Sequence, residues 1–312
     1  MTTAPGRKYF YKYLTADTAI LILQNRKIKY SSPVLFNDPF DVQTRISFSF
    51  PESELTELLI KELYKLVYDE KDLRLDRAAP LFTQIQTMRE LAKHTFRKVP
   101  LQIWMEEAKE IGIKQYLKFL EILNNWWIRI VKASYIFCVV EEPDNLLMWA
   151  HYAQNHEGAV IEFECLPELH NLLCAAMKVK YDADPPVIAK TPEPYIRYVT
   201  GQGQPISYRD LFFDLYLSKS DHWQYENEWR VFIPPPDILN PIIPKDASGN
   251  EILFELKSFH PQEIHSIYFG CKMSQDNRRK IEACLGADFR HVKKYDSIRN
   301  KKRYKLDFAE II

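Results

Sequence analysis

The sequence predicts a mixed α+β protein, a mainly antiparallel sheet core carrying an α-helical insertion, and two patterns carry that prediction. Segments of period-two alternation recur near the start and through the second half, the signature of half-buried strands. Between about residues 52 and 133 the period changes to that of long amphipathic helices. No internal repeat or low-complexity stretch divides the chain, so residues 1–312 read as a single α+β domain with its insertion at about 52–133.

In chain order, residues 9–14 alternate as a short strand, and Thr15 or Asp17 caps a helix running to about Gln24. Residues 28–31 return to strand character. Phe36-Asn37-Asp38-Pro39-Phe40-Asp41 forms a turn, because Asn and Asp bond nearby backbone and Pro39 bars Asp38 from helical geometry. Pro51-Glu52-Ser53-Glu54 starts the insertion, whose first apolar stripe runs from Leu55 to Val67. A second stripe runs from Ile103 through Ile111 to Trp126 and Ile130, and the helices are expected to pack against the sheet. Strands follow at 134–140 and 159–163, flanking a helix over 144–155 that Gly158 ends in a left-handed cap. Further strands are expected at 176–181, 228–233, 252–256 and 265–269, then a helix over 274–285 and a basic terminal strand.

Composition excludes several classes of function. Apolar residues make up 46% and charged residues 27%, as in an ordinary soluble globular chain. The 42 basic and 42 acidic residues cancel, so no global field points to nucleic acid or anionic membrane. The 5 cysteines are odd in number and widely spaced, without a CxxC pair, and no secretory apolar segment opens the sequence; together these predict reduced thiols in the cytoplasm. No apolar run approaches the ~20 residues of a membrane span, which predicts no membrane partner. With 8 glycines, no GxGxxG and no Walker loop, any nucleotide must be held by side chains and element ends.

The most informative segment is Trp223-Gln224-Tyr225-Glu226-Asn227-Glu228-Trp229-Arg230-Val231-Phe232-Ile233, closed by three prolines. Read with period two, it sets Glu226, Glu228 and Arg230 on one face, with the two carboxylates about 6.5 Å apart along a strand. Such a pair suits acid/base work or stabilisation of a cationic sugar; the alternative is a solvated face on which Arg230 pairs a neighbouring glutamate. Lys12, between Tyr11 and Tyr13, is either a surface lysine or a cation entering a cleft, and Lys219 is equally open. His151 and His156 are five apart and fall on different helix faces, so no metal is expected there. Met148, Trp149 and Tyr152 have core spacing, and Cys138 reads as a buried strand cysteine. The terminal cluster from Lys293 to Lys305 reads as a solvated strand before a nucleic-acid patch.

Three segments together resemble a mainly bacterial family classed as domain of unknown function 2971. They are Phe10-Tyr11-Lys12-Tyr13 leading to Asn37-Asp38-Pro39-Phe40-Asp41, Met148-Trp149-Ala150-His151-Tyr152-Ala153 with His156 and Gly158, and Tyr225-Glu226-Asn227-Glu228-Trp229-Arg230. This likeness supplies no chemistry. More distantly, Glu226 to Pro235 resembles the E-x-E strand of ADP-ribosyltransferases, and the opening strand and helix resemble the start of that fold, with Lys12 where those enzymes usually carry His or Arg. The resemblance implies an ADP-ribosyltransferase-like sheet and NAD as substrate, with ADP-ribose passed to a protein or nucleic-acid acceptor or to water, in a setting of bacterial toxins or phage defence. It implies Glu228 as the carboxylate that stabilises an oxocarbenium-like transition state and Glu226 as the group that orients or deprotonates the acceptor. NAD would be held by Lys12, Tyr13, Asn37, Asp38, Tyr135, Trp149, His151 and Arg230. The rival expectations are a non-catalytic nucleotide- or partner-binding module, in which Glu228 and Arg230 form a structural ion pair, and a nucleic-acid-processing protein.

Overall fold

The computed structural model describes residues 8–69, 74–95 and 98–311, which divide into two compact units. The first, residues 1–43, 129–184 and 217–312, is built on a 10-stranded sheet. Its elements are β1 (Tyr9–Leu14), α1 (Ala16–Asn25), β2 (Lys27–Ser31), β3 (Tyr135–Val140), α5 (Leu146–His151), β4 (Ala159–Glu164), β5 (Met177–Lys178), β6 (Lys180–Asp182), β7 (Ser218–Ser220), β8 (Glu228–Ile233), β9 (Phe254–Ser258), β10 (Ile264–Phe269), α8 (Gln275–Cys284), β11 (Lys293–Arg299) and β12 (Leu306–Ile311). The strand order is β12-β11-β10-β4-β1-β3-β2-β9, with β8 on β3 and β5 on β8. Every pairing in this sheet is antiparallel except β10 with β11. The small β6–β7 pair is parallel and stands apart.

Alternation gives the sheet two apolar faces. Phe10, Phe137, Ile161, Phe163 and Val231 point to one side, where Ala19 and Leu23 of α1 and Ile281 of α8 join the same buried cluster. Tyr13, Val140 and Val160 point to the other, where Met148 and Trp149 of α5 cover them. Thr15 caps α1 by accepting a hydrogen bond from the Thr18 N–H, as its position before the apolar run predicts.

The two edges of β3 are paired unequally. β3 is laddered along β8 from Tyr135↔Ile233 to Val140↔Glu228. On its other edge it meets β1 only at Tyr11↔Val140 and β2 only at Ser31↔Ile136. β1 and β2 therefore share that edge at opposite ends, and the sheet parts between them. The Cys138 carbonyl in this gap has no strand partner there and accepts instead from Lys12 Nζ at 2.7 Å.

The helical unit comprises residues 44–128 and 185–216. It holds α2 (Glu52–Tyr68), α3 (Phe82–Thr95), most of α4 (Leu101–Ala133), α6 (Pro192–Thr200) and α7 (Tyr208–Leu217). Phe48, Leu55, Tyr195, Ile196 and Val199 form its core, and Trp127 meets Phe212 and Tyr216 edge-on. Apolar periodicity predicts helices over about 52–133 but not α6 or α7. In α6, Pro192 and Pro194 fall in the first helical turn, where proline is tolerated, and Gly201 at φ 82° ends the helix.

Three further local expectations are corrected. The helix over 144–155 stops at His151, and Gln154, Asn155 and His156 all adopt left-handed φ (51°, 52° and 71°). Gly158 supplies no left-handed cap; it is glycine because a Cβ there would lie 2.1 Å from the Leu14 carbonyl oxygen. The strand over 176–181 is broken into β5 and β6, the second pairing with β7.

Candidate functional site

The segment Trp223–Ile233 does not form one long strand. Residues Asp221–Glu226 make a 3-10 turn capped by Ser220, Asn227 is left-handed at φ 46°, and β8 begins only at Glu228. Asparagine tolerates this conformation because its short amide bonds locally. The expected same-face spacing of Glu226 and Glu228 along a strand is thus overturned. The left-handed residue between them nevertheless brings both carboxylates to one point, the ammonium of Lys219 on β7, with Nζ 2.5 Å from Glu226 Oε2 and 2.8 Å from Glu228 Oε2.

A third carboxylate completes the cluster. Asp41, from the turn after β2, lies 3.5 Å from Lys219 Nζ and accepts Arg230 Nη2 at 2.7 Å on each oxygen. Arg230 Nε also donates to Glu228 Oε1 at 2.7 Å. Tyr152 donates its hydroxyl to Glu226 Oε1 at 2.7 Å, and the Glu228 backbone N–H donates to the Tyr181 hydroxyl at 2.8 Å. Asp41, Glu226, Glu228, Lys219 and Arg230 are all buried, Arg230 completely. Three negative charges against two positive leave one net negative charge when all five are ionised.

Burial and charge pull the carboxyl groups apart in pKa. For Glu228, burial favours the neutral acid, but Arg230 and Lys219 outweigh it and hold the group well below the usual carboxylate range. For Glu226, burial prevails over Lys219 and the pKa is raised, with the Glu228 charge adding to the rise. Asp41 is raised in the same way, burial outweighing Arg230. Lys219 is pushed above its ordinary value, because Glu228, Asp41 and Glu226 together outweigh its burial. Two neighbouring carboxyls with opposed shifts are the arrangement that separates a permanent anion from a group able to take up a proton. Cys138 is raised by burial and then by Glu228, so its thiol stays protonated and is not an activated nucleophile.

The cluster forms one wall of a cleft of about 430 Å³ at the parting of β1, β2 and β3. Glu226, Glu228, Lys12, Tyr13, Asn37 and His151, all candidates on sequence grounds, line it. Lys12 thus takes the inward of its two possible orientations. Four sequence-predicted residues are not among its lining residues. Asp38 is turned into its own loop, where Oδ1 accepts the Phe40 N–H. Tyr135 bonds the Ile252 carbonyl, Trp149 is fully buried with its Nε1–H on the Pro143 carbonyl, and Arg230 lies behind Glu228. Each is drawn away by a backbone hydrogen-bond partner or by the ion pair itself.

Sequence reasoning does not single out Asp41, Tyr152 or Lys29 as site residues and leaves Lys219 open, and all four line the cleft. Asp41 is read only as the end of a polar turn within a family-like segment, and Lys219 precedes the glutamates by 7 and 9 residues, a spacing with no periodic meaning across a 3-10 turn. Tyr152 has core spacing but points its hydroxyl at Glu226. Among the described residues no group of three or more His, Cys, Asp or Glu could hold a metal ion. Lys219 Nζ occupies the place among the carboxylates that a cation would take.

These features define a class: a mixed α+β protein with a mainly antiparallel open sheet, parted to form a cleft and walled by a buried carboxylate–cation cluster. Residues 148–231 match the family described as Protein of unknown function (DUF2971), a stretch that contains Tyr152, Lys219, Glu226, Glu228 and Arg230. No curated protein and no solved structure matches the chain. No helix among the described residues is long and apolar enough to cross a membrane.

Proposed function

We propose that the cleft binds NAD, cleaves its nicotinamide–ribose bond and passes ADP-ribose to a protein, nucleic-acid or water acceptor. The observation that carries this reading is that Glu226 and Glu228 share one cleft with Lys12, Lys29 and aromatic side chains. NAD is complementary to such a lining: its diphosphate is anionic, and its nicotinamide ribose becomes cationic as the bond breaks. Lys12 and Lys29 face the diphosphate, and Tyr11 and Phe36 offer surfaces for stacking.

Glu228 supplies the fixed charge. Held ionised by Arg230 and Lys219, it stabilises the oxocarbenium-like transition state, and the cluster is already organised before the substrate arrives. Glu226, whose pKa is raised, accepts the proton of the acceptor nucleophile. The test is nicotinamide release from NAD by the purified protein beside Glu226→Gln and Glu228→Gln variants. Turnover that falls about 10²–10³-fold in Glu228→Gln supports the assignment. Turnover that is unaffected by either change removes it.

A second reading has its own observation. Both Glu228 oxygens are engaged, Oε1 by Arg230 and Oε2 by Lys219, as in a purely structural ion network. On that reading the protein is a binding module. Calorimetry separates the two: NAD binding without nicotinamide release favours the module, and neither binding nor release removes NAD from both.

A further inference from the structure

The hairpin of β11 and β12 carries a second feature that the cleft does not use. Its connecting loop, Asn300-Lys301-Lys302-Arg303-Tyr304-Lys305, is a built structure. Asn300 Oδ1 accepts the N–H groups of Lys302 and Arg303, the Asn300 N–H donates to the Lys305 carbonyl, and Asn300 Nδ2 donates to Asp307. The fixed loop projects its charged side chains into solvent, and the Tyr304 ring stands fully exposed at the tip.

Beside the loop lies a hollow of about 280 Å³ whose lining includes Lys272, Arg299, Arg303 and Lys305, and no carboxylate. Lys305 is paired with Asp307, but Lys272, Arg299, Lys301, Lys302 and Arg303 have no ion-pair partner among the described residues. His156 also lines the hollow, and its Nδ1 is buried without a hydrogen-bond partner. Burial, and after it the nearby Lys272 charge, lower its pKa. The backbone is forced into place here: Gln154, Asn155 and His156 are all left-handed, and the His156 carbonyl is closed on the Lys272 N–H at 3.0 Å.

We infer that this basic hairpin and its hollow bind a strand of single-stranded nucleic acid, with phosphates on Lys272, Arg299, Lys302 and Arg303 and a base stacked on Tyr304. Cations tracking a backbone beside an exposed aromatic ring are the two parts of a single-strand platform. A duplex keeps its bases stacked internally and would leave the Tyr304 ring unused. The same cations would attract an anionic membrane surface, which the vesicle control of the test distinguishes. The site stands independently of the chemistry in the cleft, so either can fail without the other. The two adjoin: α5 contributes Leu146 to the hollow and Met148 and His151 to the cleft.

The experiment is fluorescence anisotropy with a short labelled oligothymidylate, its RNA counterpart and a duplex control, across a salt series. Single strands are expected to bind more tightly than duplex, with log K falling by about 0.7 per phosphate contacted for each unit of log salt. The Lys302→Glu/Arg303→Glu double variant should weaken binding at least about tenfold and reduce that slope by roughly 1.4. Tyr304→Ala should weaken binding about tenfold and leave the slope unchanged. All three side chains are exposed, and circular dichroism checks the variants' fold. No binding by wild-type protein, or binding unchanged in both variants, overturns the inference. So does binding to phosphatidylserine vesicles or saturation by inorganic phosphate when the oligonucleotides do not bind.

Discussion

Removing Lys219 should unlock the carboxylate cluster, and Lys219→Met keeps the length of the side chain while deleting its charge. The ammonium lies within 3.5 Å of Asp41, Glu226 and Glu228, and Lys219 is 8% exposed, so solvent screens the interaction little. Breaking a buried pair from one side costs about 3–5 kcal/mol, because the remaining charges stay buried without compensation. For a unit of this size that corresponds to a fall in Tm of roughly 6–20 °C. The loss carries a pH signature. Asp41 and Glu226 already have folded pKa values raised by burial above 3.8 and 4.5, and deleting Lys219 takes away a contribution that lowers each. A carboxyl raised on folding destabilises as pH climbs from its unfolded value through its folded one, since the folded state then holds the extra proton. The variant's deficit should therefore be full near neutral pH and shrink toward about pH 4. Lys219 itself stays protonated throughout that range, because its folded pKa lies above 10.5, so the pH dependence comes from the carboxyls it faces. Urea unfolding followed by tryptophan fluorescence at the two pH values reads the difference, with Lys61→Met in the exposed Glu57 pair as a control expected to show no change. A loss below about 1 kcal/mol, or one that is equal at both pH values, would refute the reasoning.

Three other outcomes are expected. Tyr152→Phe removes a hydrogen bond that lowers the Glu226 pKa, so the acidic limb of a nicotinamide-release pH profile should move to higher pH; a lower rate with an unmoved limb counts against Glu226 as base. Lys12→Met should weaken NAD binding in calorimetry by about 1.5–3 kcal/mol, the size of a hydrogen bond to a charged group, and an unchanged affinity would remove Lys12 from the site. Gly270→Ala should lower stability by about 1–3 kcal/mol or more, because the new Cβ falls 2.2 Å from the His156 carbonyl oxygen, and a neutral thermal melt would show that the backbone there can yield.

A residue is legible in the sequence to the extent that its position follows from period. The strands at Tyr9–Leu14, Tyr135–Val140 and Ile264–Phe269 carry β-branched or aromatic runs, and α1 and α8 carry their caps, so local pattern suffices to place them. The polar cluster follows no period. Its members come from the turn after β2, from β7, from a 3-10 turn and from β8, and they meet through tertiary structure. Glu226 and Glu228 stand out in the sequence because they are near neighbours in the chain, although the strand expected to align them does not contain Glu226. Lys219 and Asp41 are paired with them across the fold, which the spacing of one chain does not encode. Aromatic chemistry points Trp149 and Tyr135 toward the site, but their Nε1–H and hydroxyl groups bond the Pro143 and Ile252 carbonyls and hold them away from the cleft.

Asn227 shows why this arrangement serves a site better than the simple strand would. With residues 226–230 all extended, Glu226, Glu228 and Arg230 would follow one another along a single face, and the outer glutamate would lie about 13 Å from the arginine. The left-handed residue ends the 3-10 turn and starts β8, so Glu226 is folded back onto Lys219 while Glu228 keeps its ladder position opposite Val140. Two carboxyls two residues apart thereby enter different environments: one is flanked by two cations and stays ionised, whereas the other has a single cation and a tyrosine and its pKa is raised. A core selected for stability alone gains little from burying three carboxylates against two cations, because apolar packing of the same volume is often as stable or more so. The surplus negative charge at the cleft wall is instead the kind of local cost that a binding or catalytic site retains.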